Sequence, residues 1–177
     1  SGKVLAGAPG KPPVELAIHI EILRARPDVQ AVLHSHLEVA FLFTMMDGVA
    51  LQPMRARAVR WQSGIPTHPD PSHIKLPEQG AALAATLGPH HAALIRSHGV
   101  VLTAESLPAL VIDGIHFQEN ARAQLLVLNA GQKPLALTGA AMDRINRHEM
   151  REFHVGKLWK YYVHKARAAG AVPADWD

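Results

Sequence analysis

Two histidines separated by one residue, His34 and His36, end a short apolar segment with the sequence VQAVLHSH. This segment predicts a β-strand, in which residues i and i+2 project from one face and lie close enough to hold one ion. A third histidine, His98, lies in a second apolar segment, AALIRSHGVVL, before a glycine that allows close backbone approach. Singly, such histidines are also typical of solvated or core positions. Together, three neutral imidazoles are the ligand set of a catalytic divalent ion, so we predict a mononuclear metal site.

One acidic residue at the start of a predicted helix extends this prediction. Glu15 begins the first helix, and His19 follows one helical turn later on the same face. A carboxylate there can ligate the metal or transfer a proton, although a helix-start glutamate also stabilises the helix dipole. Glu119, in the middle of a long helix, is either an ordinary surface charge or, like His19, a candidate to orient a metal-bound histidine.

The composition restricts the chemistry further. The chain has 177 residues, 12 histidines and no cysteine, which excludes thiolate zinc sites, iron–sulfur clusters and disulfides. The 18 Lys and Arg exceed the 15 Asp and Glu only slightly and are spread along the chain, which gives little support for nucleic-acid binding. Because no apolar run or leader pattern is visible, we expect a cytoplasmic protein that acts on a small molecule, without nucleic-acid or membrane partners.

Alternating helices and short apolar strands must position these residues. Residues 51–74, which contain four prolines, are expected to form short strands and loops near the site. Residues 1–10 resemble the tail of a strand followed by a turn. The alternation indicates a layered α/β domain. Helices are predicted over residues 14–25, 38–46, 77–87, 106–129 and 142–169, and strands over residues 29–36 and 92–102.

Two longer stretches, PPVELAIHIEILRARPDVQAVLHSH and IRSHGVVLTAESLPALVIDGIHFQENARAQL, resemble the class II aldolase/adducin family in order and spacing over residues 2–131. The resemblance implies a three-layer α/β/α sandwich with a central, mainly antiparallel sheet. It implies one domain over residues 1–177, whose N-terminal part lies outside this sequence. It also implies a homo-oligomer, with a tetramer favoured and active sites at subunit interfaces.

The resemblance also implies roles for the residues already named. The three histidines would bind one divalent metal ion per subunit, and Glu15 would be the catalytic acid/base or a fourth ligand. Three imidazoles and a carboxylate accept zinc, manganese, iron or cobalt, so the ligand set does not select the metal.

Departures from the family pattern favour one of its chemistries. Sugar-phosphate aldolases hold phosphate with serines just before the acidic residue, where this chain has Pro12, Pro13 and Val14. The KPPVE segment and the two histidine segments look closer to metal-dependent decarboxylases of hydroxylated aromatic or pyridine dicarboxylates. We therefore expect a metal-dependent lyase that decarboxylates an ortho-hydroxylated aromatic carboxylate. Aldol cleavage of a sugar or sugar-phosphate ketol is the alternative, and a non-catalytic, adducin-like interaction module is a third reading.

Four further residues are candidates to bind the substrate of such an enzyme. Arg55, Arg57 and Arg60 follow the first histidine segment, and their guanidinium groups match a carboxylate in geometry. A solvated edge is the alternative reading of these arginines. Tyr161 is a candidate to close over a neighbouring site, as C-terminal tyrosines do in some relatives, or to pack locally.

Overall fold

A four-stranded sheet lies between two layers of helices in residues 12–173, the part of the chain that the computed structural model describes. The elements are α1 (Leu16–Ala25), β1 (Ala31–Ser35), α2 (Glu38–Leu42), a 3₁₀ helix (Ala56–Trp61), β2 (Thr67–His68), α3 (Pro77–Leu87), β3 (Ala92–Ile95), β4 (Gly99–Ala104), α4 (Leu107–Asn129), α5 (Gly139–Arg147) and α6 (Arg151–Ala168). The strand order is β1-β4-β3-β2. The strand tail and turn predicted for residues 1–10 lie outside the described residues.

This arrangement confirms the predicted layered α/β fold. Strand β4 is antiparallel to both β1 and β3, whereas the short β2 is parallel to β3. The sheet is therefore mixed, with antiparallel pairing in its centre. No helix within residues 12–173 is long and apolar enough to cross a membrane.

Proline, glycine and serine residues define both ends of α3 and the start of α4, as the sequence predicted. Helix α3 begins at Pro77 and ends before Gly88, whose positive φ of 51° is a conformation that glycine adopts readily. Helix α4 follows Ser106, whose hydroxyl accepts a hydrogen bond from the Ala109 N–H at 3.2 Å. These bounds agree with the sequence prediction.

Helices α1 and α3 cover one face of the sheet. Ile18 of α1 and Leu83 of α3 are fully buried in a cluster that includes Ile95 of β3. The two helices approach closely because Gly80 has no side chain. A β-carbon at Gly80 would lie only 2.5 Å from the carbonyl oxygen of Ala17. This contact holds α1 in position against the sheet.

Helices α2 and α4 cover the other face, and α6 packs on the outside of α4. Phe117 of α4 is fully buried, and its ring centroid lies 4.9 Å from that of Trp61. Gln118 accepts hydrogen bonds at 3.2 Å from the N–H groups of Val39 and Ala40. Because the first N–H groups of a helix lack partners within the helix, Gln118 stabilises the start of α2.

Buried amide side chains of α4 also hold the irregular segment that follows α2. Asn120 accepts a hydrogen bond from the Met54 N–H and donates to the Gln52 carbonyl, both at 2.8 Å. Gln124 accepts from the Gln52 N–H at 2.8 Å and donates to the Ala50 carbonyl at 2.7 Å. These bonds satisfy backbone groups that burial would otherwise leave unpaired.

The single strand predicted over residues 92–102 is wrong, because the structure has a hairpin there. Strands β3 and β4 pair with each other, and residues 96–98 form the turn between them. Ser97 in this turn has a positive φ of 51°. The polar residues 96–98 and the glycine that follows them interrupt the apolar run where the chain folds back, so His98 lies in the turn rather than in a strand.

The single helix predicted over residues 142–169 is also wrong, because α5 and α6 are separate helices. Arg151, the first residue of α6, donates to both carboxylate oxygens of Asp113 at 2.9 and 2.7 Å. Arg57 binds Glu149, which lies in the break, at 2.7 Å. These contacts join distant parts of the chain and override the local helical pattern.

Replacing Gly80 with alanine tests the contact between α1 and α3. The new β-carbon would lie 2.5 Å from the Ala17 carbonyl oxygen and 2.9 Å from Cγ of Glu21. Overpacking of this kind costs about 1–3 kcal/mol, whereas alanine gains only about 1 kcal/mol over glycine in helix propensity. We expect Gly80→Ala to lower the free energy of unfolding, measured by urea denaturation.

Gly156→Ala in α6 is the matched control, because a β-carbon there meets nothing within 4 Å. We expect this change to raise the free energy of unfolding by about 0.5–1 kcal/mol, since alanine is the better helix former. Stabilisation by both changes would contradict the close packing of α1 on α3.

Candidate metal centre

Three histidine rings meet at the end of the sheet where β1 lies beside the β3–β4 turn. His34 is in β1, His36 follows the last residue of β1, and His98 is the last residue of the turn. The ring centroids of His34 and His36 are 5.6 Å apart. The centroid of His98 lies 5.1 Å from that of His34 and 5.5 Å from that of His36. One nitrogen atom of each ring lies within 4.8 Å of those of the other two. The structure thus brings the three predicted residues together at ligand spacing.

The carboxylate of Glu15 faces these rings from the start of α1. Its Oε2 lies 3.3 Å from Nε2 of His34, and its Oε1 lies 3.4 Å from Nε2 of His98. The backbone N–H of Ile74 donates to Oε1 at 2.8 Å and fixes the carboxylate. Imidazole and carboxylate ligands bind the same first-row divalent metals. Glu15 is therefore a fourth donor group at the same place.

The hydrogen bonding of the rings fits a bound metal. Nδ1 of His34 lies 3.2 Å from the carbonyl oxygen of Val100, and because a carbonyl can only accept, Nδ1 carries the proton. This leaves the lone pair on Nε2. In the described part of the chain, Nε2 of His34 and both ring nitrogens of His98 are buried without a hydrogen-bond partner. Such atoms are uncommon in folded proteins, and a cation would satisfy one nitrogen atom of each ring.

Burial and neighbouring charges favour the protonation states that bind metals. Burial lowers the pKa of His34 and outweighs the opposite effect of the Glu15 charge. Burial acts to raise the pKa of Glu15, but the Ile74 N–H and the nearby histidines outweigh it, so that this pKa lies below its ordinary value. A neutral imidazole and an ionised carboxylate are the forms that act as ligands.

The rings come together because Gly99, next to His98, has no side chain. A β-carbon at Gly99 would lie 2.8 Å from Cδ2 of His36 and 2.9 Å from the carbonyl oxygen of Ser35. It would also lie 3.2 Å from Cε1 of His34. The glycine after His98 thus provides the close backbone approach that the sequence suggested.

A fourth histidine, His73, reaches the centre and was not predicted. Its Nδ1 lies 3.6 Å from Oε1 of Glu15, and its ring centroid lies 5.4 Å from that of His98. It belongs to the irregular segment, next to the Ile74 that binds Glu15, so no periodic pattern marks it. His73 and His36 are both exposed and form the open side of the centre.

The two residues predicted to orient the ligand histidines have other partners. His19 is bonded to the backbone of Val32 in β1, and burial lowers its pKa despite this bond. Glu119 binds Arg55 at 2.5 Å and lies 3.3 Å from Nδ1 of His116. Within residues 12–173, no hydrogen bond or ion pair joins His19 or Glu119 to the three clustered rings. The hydrogen bond that orients a ring of the centre is the one that Nδ1 of His34 donates to the Val100 carbonyl.

The three predicted substrate arginines form ion pairs within the chain. Arg55 binds Glu119, Arg57 binds Glu149, and Arg60 binds Glu105. Glu105 directly follows β4, whereas the histidine centre lies beside the first residue of that strand. The six residues of β4 span about 20 Å at roughly 3.3 Å each, so Arg60 lies far from the centre of its own chain.

Tyr161 lies on α6 and is 52% exposed. Its ring centroid lies 5.2 Å from that of Tyr162, and Nζ of Lys165 lies 5.7 Å from the Tyr161 centroid. These contacts agree with local packing. A role for Tyr161 over a neighbouring subunit's site stays a prediction.

The sequence matches a known domain family over most of its length. The model of the class II aldolase and adducin N-terminal domain matches residues 1–125. A 3,4-dihydroxyphthalate decarboxylase from Rhodococcus jostii (strain RHA1) is 29% identical over 175 residues, which cover 93% of this chain and 70% of that protein. The decarboxylase NovR from Streptomyces niveus is 31% identical over 155 residues, which cover 86% of this chain and 56% of that protein. The chain therefore spans only part of the length of these relatives.

Solved structures share the fold at lower sequence identity. The L-fuculose 1-phosphate aldolase from Glaciozyma antarctica PI12 has a TM-score of 0.75 and 19% identity, over 94% of this chain and 66% of that chain. At this identity, the likeness establishes the fold and not the reaction.

Replacing Gly99 with alanine tests whether close backbone approach builds the centre. The added β-carbon displaces the rings of His34 and His36, because both lie within 3.2 Å of its position. We expect affinity for Zn²⁺ or Mn²⁺, measured by calorimetric titration of metal-free protein, to fall about 10–100-fold, as when ligand-orienting groups are lost.

Gly114→Ala is the control for this change, because a β-carbon there lies 3.5 Å from Leu33, an ordinary packing distance, on the opposite face of the sheet. We expect its metal affinity to equal that of the unaltered protein. Unchanged affinity in Gly99→Ala would contradict the proposed dependence on this glycine.

Replacing His36 with alanine tests the metal ligands directly. His36 is exposed, so its loss removes a ligand without opening a cavity in the core. We expect His36→Ala to lose stoichiometric metal, measured by elemental analysis after dialysis, while its thermal unfolding temperature without metal stays unchanged. His164→Ala, at another exposed histidine, is the control and should retain the metal. Stoichiometric metal in His36→Ala would overturn the ligand assignment.

Proposed function

Since the chain belongs to the class II aldolase and adducin family, we propose that it is a metal-dependent carbon–carbon lyase that decarboxylates an ortho-hydroxylated aromatic carboxylate. Two observations support this proposal. The Glu15 carboxylate faces two of three clustered imidazoles at 3.3 and 3.4 Å. In the part of the chain that the structure describes, three nitrogen atoms of these rings are buried without a hydrogen bond. The relatives at 29% and 31% identity are both named as decarboxylases, in agreement with the resemblance predicted from the sequence.

His34, His36 and His98 are the proposed ligands of one divalent ion per subunit. A divalent ion at this position supplies positive charge that offsets the negative charge developing on a substrate as its carbon–carbon bond breaks. Zinc, manganese, iron and cobalt all suit three imidazoles and a carboxylate. The retained donor set argues against the alternative of a non-catalytic interaction module, which has no need of stoichiometric metal.

Glu15 is the group positioned to move a proton in this reaction. When carbon dioxide leaves, the electron pair of the broken bond stays on the substrate, and a proton must be added to the carbon that carried the carboxylate. The substrate hydroxyl gives up a proton to Glu15, and Glu15 returns it to that carbon, so protons and electrons balance. The Ile74 N–H holds one carboxylate oxygen at 2.8 Å and restricts the position of the proton donor.

The surrounding residues restrict the direction from which a substrate approaches. His34, His98 and Glu15 are at least partly buried between α1 and the sheet. His36 and His73 are exposed and border the remaining side. A planar aromatic acid therefore enters past these two rings, where His73 is positioned to contact an oxygen of the substrate.

Aldol cleavage of a sugar or sugar-phosphate ketol is the competing proposal. The same histidines and Glu15 would serve it, and a solved structure with the same fold is named an aldolase. The residues before Glu15 are Pro12, Pro13 and Val14, which offer no hydroxyl group to a phosphate. This local difference favours the decarboxylase proposal.

The remaining expectations depend on the family and stay proposals. The partner is a small-molecule substrate, and the assembly is a homo-oligomer, with a tetramer favoured. Contact of Arg55, Arg57, Arg60 and Tyr161 with a substrate would require a neighbouring subunit that places them beside its metal centre.

Carbon dioxide release tests the proposed reaction. Metal-loaded protein is assayed with hydroxylated phthalates, hydroxybenzoates and pyridine dicarboxylates, in parallel with aldol cleavage of phosphorylated and unphosphorylated ketols. We expect release from ortho-hydroxylated acids only. We expect Glu15→Gln to lower kcat by about 10²–10⁴-fold, because the proton carrier is removed.

Glu152→Gln, at an exposed carboxylate on α6, is the control and should retain full activity. Cleavage of ketols without carbon dioxide release would assign the protein to the aldolases. Stoichiometric metal without activity in either panel would leave the metal centre in place and overturn the proposed reaction.

A further inference from the structure

A second cavity, of about 290 Å³, lies at the far end of the sheet from the histidine centre. It is bordered by the 3₁₀ helix, α4 and the junction of α5 with α6. Arg60 and Arg151, which line it, both bind Glu105, the residue that directly follows β4. Because Gly99 at the other end of β4 contacts the histidine rings, the two sites are separated by the length of that strand.

The acceptor groups in the wall of this cavity are already used. Both oxygens of Asp113 accept from Arg151, at 2.9 and 2.7 Å. Both oxygens of Glu149 accept from Nη1 of Arg57 at 2.7 Å. These carboxylates therefore offer little to a ligand that carries only hydrogen-bond donors.

Donor groups in the same wall remain free. In the described part of the chain, Nδ1 of His91 is buried without a hydrogen-bond partner. Nε of Arg60 is also buried without a hydrogen bond, although Oδ2 of Asp113 lies 3.3 Å away as its ion-pair partner. Arg60 donates to Glu105 through Nη2, and the hydrogen bonds of Arg57 come from Nη1. Within residues 12–173, Nη1 of Arg60 and both Nε and Nη2 of Arg57 make no hydrogen bond, so these groups can donate to a ligand. A neutral imidazole can also donate from Nδ1.

Burial and nearby positive charges act on two histidines in the wall of this cavity. Burial, followed by the charges of Arg60 and Arg26, lowers the pKa of His91 to about 4. Burial and the charge of Arg57 lower the pKa of His154. His154 stacks on His116, with the two Nε2 atoms 3.1 Å apart, a contact that requires at least one of them to be neutral. A bound anion would favour the protonated forms of these histidines, which donate from both ring nitrogens.

We propose that this cavity binds a small organic anion whose carboxylate or phosphate oxygens accept hydrogen bonds from Arg57, Arg60 and His91. Guanidinium groups suit both kinds of oxyanion. The side chains of Val59 and Ile112 provide apolar wall for the carbon part of such a ligand. The cavity is separate from the metal centre of its own chain, and anion binding here requires neither the metal nor the proposed reaction.

Titration of the full chain with two probes tests this site. Benzoate and inorganic phosphate are added separately to protein with labelled methyl groups, and methyl NMR signals are followed. Val59 and Ile112 report on the cavity, whereas Ile74, which contacts Glu15, reports on the histidine centre. We expect benzoate, phosphate or both to shift the cavity signals saturably at millimolar concentration, in the unaltered protein and in His36→Ala.

Arg57→Gln is the decisive variant, because Arg57 is partly exposed and its loss leaves the buried ion pairs of Arg60 and Arg151 intact. We expect it to weaken binding about tenfold, as loss of a charge-assisted hydrogen bond does. Arg60→Gln should weaken binding as well, provided that it folds. Arg122→Gln, at an exposed position on α4, is the matched control and should bind normally.

The two probes distinguish the sources of the anion. Binding of benzoate alone indicates an organic carboxylate, binding of phosphate alone indicates a phosphate ester, and binding of both supports the shared chemistry. Absence of cavity shifts with both probes would overturn the proposal. Shifts confined to Ile74, or binding that Arg57→Gln leaves unchanged, would overturn it as well.

Discussion

The candidate centre depends on one steric constraint, the absence of a side chain at Gly99. Antiparallel pairing places His34 opposite Val101 at the end of β1, and the β3–β4 turn carries His98 back to the same place. Any β-carbon at Gly99 would occupy the space that the rings of His34 and His36 require. Sheet pairing supplies the free energy that holds these polar groups together, because the rings themselves gain few hydrogen bonds from one another. Backbone geometry therefore determines where the three rings lie, and their capacity to bind a metal depends on those positions.

Local patterns predicted the parts of this structure that local interactions determine. The short aliphatic segment that ends in His34 and His36 correctly predicted a strand, and Pro77 and Ser106 marked helix starts. Residue types and spacing also singled out His98 and Glu15, and the resemblance over two stretches implied their roles beside the first two histidines. The layered fold followed from the alternation of strands and helices, and the resemblance supplied the order of its layers.

Contacts across long sequence separations explain what the sequence did not predict. The hairpin turn at residues 96–98 is marked only by three polar residues and a glycine, and the pairing of β3 with β4 decides that the chain folds back there. Arg57 and Arg60 find carboxylates 92 and 45 residues away, and no spacing rule connects such pairs. His73 reaches Glu15 from an irregular segment with no periodicity. In each case, the deciding interaction belongs to the tertiary structure, which propensities do not encode.

Helix α4 fixes the backbone of a neighbouring loop without restricting the side chains of that loop. Asn120 and Gln124 hold residues 50–54 through backbone atoms alone. Backbone groups are the same in every amino acid except proline, so the outward side chains of these loop residues can be exchanged while the loop keeps its course. Proteins built on this scaffold can thus diversify the chemistry of that loop by substitution at little cost in folding. Loss of either amide in α4, by contrast, would release the loop as a whole.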